Sequence, residues 1–184
     1  MTYPFLLKFS SITNLSDARY AAGMWADFIG FNFDPTSDNY IEPSQAASIS
    51  GWISGPATVG EFGHQPLSWI LDFAQQLKLQ VVQIPADYAD MGIFDTGLRT
   101  IVEVHHTSDT AVIKKADLLL CHDQAVYNFL SSHYQQPVIY QSRQLNEDAS
   151  KFGGLAIKGE SETAPGTRNQ GDWTEYLERF ATDN

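Results

Sequence analysis

Eight short apolar runs punctuate the chain, at residues 5–10, 27–33, 57–62, 79–84, 98–105, 116–121, 137–142 and 154–158. Each has the length of a buried strand. The segments between them carry helical spacing and helix punctuation. Thr13 or Asn14 can cap a helix with Leu15, Ala18 and Ala22, and Gly23 suits its end. Pro43 fits a first turn ahead of Ala46 and Ile49. Pro66 opens a stretch with Leu67, Ile70, Leu71, Ala74 and Leu77 on one face. Thr107 or Ser108 opens a short helix through Ala111 and Val112, and Asp123 can cap one carrying Val126, Phe129 and Leu130. Asp172 followed by Glu175 reads as a variant capping box before Tyr176, Leu177 and Phe180. Residues 88–94 and 146–152 are only weakly helical. Strands that alternate with helices pair in parallel, because each return needs a crossover. Eight such units predict an α/β fold, a closed (β/α)8 TIM barrel spanning residues 1–184 as one domain. That fold usually starts at roughly 200 residues, so this barrel is expected to be compressed, with short or missing elements in its second half.

Composition narrows the partners. The chain has 11 basic and 22 acidic side chains, a formal charge of −11. Nucleic acid and anionic membrane both need basic surface, so neither is expected as a partner. The single cysteine, Cys121, excludes an internal disulfide and any zinc site built from two cysteines of one chain. A reducing, cytoplasmic setting fits. The N-terminal apolar stretch lacks a basic flank and a long hydrophobic region, so it reads as a first strand and not as a signal peptide. No run approaches the length of a membrane span. Trp25, Trp52, Trp69 and Trp173 read as packing between helices and sheet. An exposed cluster of them would instead mark a subunit contact, with a homodimer as the partner.

The first unit reads Lys8-Phe9-Ser10-Ser11-Ile12-Thr13-Asn14. The second reads Gly23-Met24-Trp25-Ala26-Asp27-Phe28-Ile29-Gly30-Phe31-Asn32-Phe33, followed by Ser37-Asp38-Asn39-Tyr40-Ile41-Glu42-Pro43. Val59-Gly60-Glu61-Phe62 and Val81-Val82-Gln83-Ile84 come next, and Glu162-Thr163-Ala164-Pro165-Gly166-Thr167-Arg168-Asn169 lies near the end. This series resembles the phosphoribosylanthranilate isomerase family, whose pattern is K-I-C-G-I-T-N, A-G-A-D-x-x-G-F-x-F, S-x-R-Y-x-x-P, V-G-V-F, V-Q-L-H-G and E-x-x-P-G-x-K-D. The resemblance is dense over roughly the first 85 residues and patchy through the middle. It implies a (β/α)8 barrel of tryptophan biosynthesis that performs an Amadori rearrangement, an aldose–ketose isomerisation. No cofactor is implied, and the implied ligand is small and phosphorylated.

The departures fall on the positions that would carry this chemistry. Ser10 stands where the family has its cysteine base, and Ser11 where it has the next glycine. Cys121 stands at the position of the aspartate acid that closes strand six, and Asp123 is the candidate substitute. Asn39 replaces the arginine that meets the anthranilate carboxylate, and it cannot make a charged bidentate pair. Tyr140-Gln141-Ser142-Arg143 and Lys158-Gly159-Glu160 replace the two glycine-containing phosphate loops. Glu160 would repel an anion, while Arg143 and Lys158 would meet it as point charges. Gln83 and Glu103 complete the candidate substrate contacts. On this reading the family activity is weak or lost.

Other residues suggest other uses. If Ser10 points into the barrel, Lys8 does too, one layer deeper, and is expected to pair with Glu61 or Glu103 as a core network or a rebuilt polar site. Ser10, Glu103 and Cys121 are expected to converge at the mouth. Glu103, His105, His106, His122 and Asp123 cluster at the ends of strands five and six. They are metal-ligand types, but no H-x-H or H-E-x-x-H pattern joins them, and adjacent histidines on a strand face opposite ways. They read as a solvated rim, with no metal expected. Three functional readings follow: a residual isomerase, a non-catalytic barrel that binds a ligand or a protein, and an enzyme with new chemistry at the strand ends.

Overall fold

The computed structural model describes residues 2–87, 91–107, 110–142, 145, 147–158 and 170–182. Eight strands form one closed sheet. They are β1 Leu6–Ser10, β2 Phe28–Asn32, β3 Ala57–Glu61, β4 Val81–Pro85, β5 Arg99–Glu103, β6 Leu118–Cys121, β7 Val138–Gln141 and β8 Gly154–Lys158. Every neighbouring pair is parallel, and β8 closes on β1 with Ser10 opposite Lys158. The expected barrel is therefore present, and its second half is compressed as the length required. Full helices α1 Leu15–Gly23, α2 Pro43–Ser50 and α3 Leu67–Leu77 follow the first three strands. Among the described residues, β4 is followed by a 3-10 turn at Met91–Asp95, β5 by the four-residue α4 Thr110–Ile113, and β7 by a 3-10 turn at Ala149–Lys151. The remaining helices among the described residues are α5 Gln124–His133 and α6 Gln170–Glu178. Among the described residues no helix is long and apolar enough to cross a membrane.

The punctuation acts largely as its chemistry predicts. Asn14 caps α1 by accepting from the Asp17 N–H at 2.9 Å, and Pro43 opens α2. Asp123 caps α5 through the Ala125 and Val126 N–H groups at 2.8 and 3.1 Å. The capping box expected at Asp172 is not formed, because α6 begins two residues earlier and places Asp172 inside its first turn.

Side-chain alternation sorts the core into two layers. Phe28, Val59, Val81, Ile101, Leu118, Leu120, Ile139 and Ala156 fill the barrel. Leu7, Phe9, Ile29, Phe31, Val82, Val102, Leu119 and Leu155 point outward into the helix layer. There Phe9 meets Tyr20 and Trp173 edge-on, at ring separations of 5.9 and 5.4 Å. Two tryptophans depart from the packing role. Trp25 is 68% and Trp52 69% exposed. Trp25 sits in a left-handed turn just past α1, and Trp52 follows α2 with the Arg19 guanidinium 5.8 Å from its ring.

Candidate functional site

Toward the C-terminal ends of the strands the barrel interior turns polar. Lys8 is fully buried and its ammonium is ion-paired with Glu61. It also donates to Ser10 Oγ at 2.6 Å, and Ser10 in turn donates to Gln141 Oε1 at 3.1 Å. The second oxygen of Glu61 accepts from the Ser11 N–H at 3.0 Å and the Ser11 hydroxyl at 2.8 Å. Ser11 keeps a left-handed backbone, φ +54°, which an L side chain adopts at a cost. Its two bonds to Glu61 hold it there. Gly30 gives the ion pair its room: a Cβ at that position would lie 1.9 Å from Glu61 Oε1 and 3.1 Å from Lys8 Nζ.

The opposite wall is built on β4, β5 and β6. Gln83 donates to Glu103 Oε2 at 3.0 Å. Glu103 Oε1 lies 2.7 Å from His122 Nε2 and 3.5 Å from His105 Nε2. Burial is the largest influence on the Glu103 carboxyl and pushes its pKa up. The hydrogen bond and charge of His122, with His105 and Gln83, together outweigh that and hold it below the ordinary carboxylate range. Two adjoining hollows open above these residues. One of about 280 Å³ lies over Ser10, Glu61, Gln83 and Glu103. The other, of about 520 Å³, is bounded by His105, His122, Gln141, Leu145, Lys158 and Trp173.

Ser10, Gln83, Glu103 and Lys158 thus meet at the mouth, while other expected site residues lie elsewhere. Cys121 is a correction. It is fully buried in the layer between sheet and helices, and the inward-facing residue at this strand end is His122. Asp123 is spent on capping α5. Asn39 lies in the loop before α2, its N–H on Ser37 Oγ at 3.2 Å, and lines neither hollow. Arg143, Gly159, Glu160 and the motif at 162–169 lie outside the described residues. Lys8 takes Glu61 of its two expected partners. β5 ends at Glu103, so His105 and His106 lie beyond the strand and its alternation does not set their directions. Gln141 joins the mouth from β7, a place the sequence reading does not give it. Its polarity two residues after Ile139 on a buried strand was the available signal.

The burial of Cys121 gives a direct test of its placement. Burial pushes its thiol pKa up to about 12, so the nucleophilic thiolate is scarce at neutral pH. A disulfide reagent should leave the native chain unlabelled and titrate one thiol per chain after unfolding. Fast labelling of the native chain would put Cys121 back at the mouth.

No protein-family model matches the chain. Curated relatives do. Over 82 residues, 44% of this chain and 40% of the relative, it is 37% identical to the N-(5'-phosphoribosyl)anthranilate isomerase of Geobacter sulfurreducens. The isomerase of Thermotoga maritima is 38% identical over 81 residues, 42% of this chain and 38% of the relative. The matched span is under half the length of either relative. In three dimensions the chain is similar to the crystal structure of phosphoribosyl anthranilate isomerase from Thermus thermophilus. The TM-score is 0.79 over 95% of this chain and 98% of that one, at 21% identity. A second isomerase, solved in complex with reduced 1-(o-carboxyphenylamino)-1-deoxyribulose 5-phosphate, gives 0.77 over 95% and 97% at 20% identity. At these identities the structural likeness shows the fold.

Proposed function

We propose that this chain, a diverged member of the phosphoribosylanthranilate isomerase family, does not isomerise phosphoribosylanthranilate and uses its open barrel mouth for a different small polar ligand. The observation that carries this reading is the setting of Ser10. A general base needs a pKa near the working pH, and a serine reaches that role only through a partner that takes its proton. The neighbours of the Ser10 hydroxyl are the Lys8 ammonium, which donates to it, and the Gln141 amide oxygen, which is too weak a base. Glu61, the nearby carboxylate, is already engaged by Lys8 and Ser11. Across the mouth the strand-six end offers His122, tied to Glu103, where the reaction calls for an acid. A phosphorylated ligand would find Lys158 on the rim, but the acidic wall at Glu103 favours ligands that are not strongly anionic.

Acid and base catalysis each contribute about 100- to 10,000-fold, so losing both should lower turnover by roughly 10,000-fold or more. Purified protein is expected to show no measurable isomerisation, and its gene should fail to restore growth of a tryptophan auxotroph lacking the isomerase. Growth, together with turnover in the ordinary range of about 1–1000 per second, would reject this reading.

A further inference from the structure

The geometry points to a divalent transition-metal site formed by Glu103, His105 and His122, with its open coordination positions facing the smaller hollow, which all three side chains line. This goes beyond the loss of isomerisation argued above and stands independently of it. The donor set is two imidazole nitrogens and one carboxylate oxygen, the three-ligand pattern that leaves room on a catalytic zinc or a non-haem iron for water or substrate. The three donor atoms lie within 4.8 Å of one another. Both histidines present the same nitrogen, Nε2, to the same carboxylate oxygen, at 2.7 and 3.5 Å. Their rings are nearly parallel, 9° apart in plane with centroids 5.8 Å apart, so they flank that oxygen. Ligand atoms about 2.1 Å from an ion stand about 3.0–3.4 Å from one another. The observed spacings therefore reach that arrangement with small side-chain adjustments.

Hydrogen bonding to Glu103 accounts for one histidine only, although both lie within ion-pair distance of it. His122 satisfies Glu103 Oε1 at 2.7 Å, and His105 at 3.5 Å adds no well-formed hydrogen bond. A cation between them gives both nitrogens a role. The carboxylate is also oriented from behind. Gln83 holds the other Glu103 oxygen at 3.0 Å, as outer partners hold the ligands of established metal sites. Gln83 is 7% exposed and its own Oε1 has no hydrogen-bond partner among the described residues, so this wall carries an unspent acceptor. Access is adequate: the Glu103, His122 and His105 side chains are 22%, 25% and 49% exposed. The hydrogen-bonded strands β5 and β6 place the three groups side by side, with Glu103 opposite Leu120. An ion here would supply a Lewis acid to the same hollow that Ser10 lines.

The test uses the full chain, freed of metal with a chelator, and zinc(II) alone as the probe in calorimetric titration. One ion per chain should bind with a dissociation constant on the order of micromolar or tighter. Glu103→Gln, His105→Ala and His122→Ala should each weaken it by roughly 100-fold, while His133→Ala on α5 leaves it unchanged. Cobalt(II) should give visible absorption bands with the unaltered chain and lose them with His105→Ala. His105 is the most exposed of the three, so that variant separates ligand loss from misfolding. Zinc should also raise the melting temperature of the unaltered chain and not that of His105→Ala. Failure to bind zinc with saturation would overturn the site. So would binding that survives Glu103→Gln and His105→Ala unchanged, which would assign the ion to the acidic surface.

Discussion

Lys8→Met is expected to destabilise the barrel by about 3–5 kcal/mol, the cost of leaving one member of a buried ion pair alone. Lys8 is fully buried and Glu61 is 4% exposed. Removing the ammonium strands the Glu61 carboxylate with only the two Ser11 donors. Urea unfolding should show the loss as a lower midpoint with an unchanged slope. The double variant Lys8→Met with Glu61→Leu should recover most of it, because an apolar pair of similar size often replaces a buried ion pair at little cost. If the single variant is as stable as the double, water reaches the pair and the network is weaker than its burial implies.

Gly30→Ala should cost about 3 kcal/mol or more, since overpacking and disturbance of a buried pair act together. The added methyl would sit 1.9 Å from Glu61 Oε1 and 2.6 Å from Glu61 Cδ, so the carboxylate must leave its place. Gly171→Ala is the contrast. That glycine lies in α6 with no atom of the described residues within 4 Å of the new methyl, so the change should be neutral or stabilise by up to about 1 kcal/mol. The two positions 30 and 61 should also couple. With Glu61→Ala in place, Gly30→Ala should add little further loss. Equal penalties with and without Glu61 would show that the Gly30 effect comes from the strand backbone and not from the ion pair.

These two positions differ in how far the sequence announced them. The first strand carries its own register, because Lys8 and Ser10 alternate with Leu7 and Phe9 and so declare which side is polar. Glu103 and Gln83 were legible for the same reason, each a polar residue at the end of an apolar strand. The sixth strand is different. Leu118, Leu119, Leu120 and Cys121 are all buried, since a parallel barrel covers both faces of its strands. A run that is apolar on both faces does not say which one points inward, so Cys121 was placed one residue away from the group that faces the mouth. The fifth strand stopped two residues short of its apolar run, and that alone moved His105 from a strand position to the rim beside His122.

What the sequence by itself determined is local and periodic. Eight apolar runs, the caps at Asn14 and Asp123, and the early motifs sufficed for the barrel and its family likeness, because propensity and alternation act over a few residues. What only the tertiary structure decided is partnership across the barrel. Lys8 chose Glu61, 53 positions away, over Glu103. Ser10 met Gln141, 131 positions away, and Glu103 drew two histidines together. Such choices depend on the stagger and closure of eight strands, which set the depth at which each inward side chain sits. No local pattern encodes that depth, so Ser10, Gln83, Glu103 and Lys158 could be named from the sequence while Gln141, the inward side of the sixth strand and the choice among pairings could not.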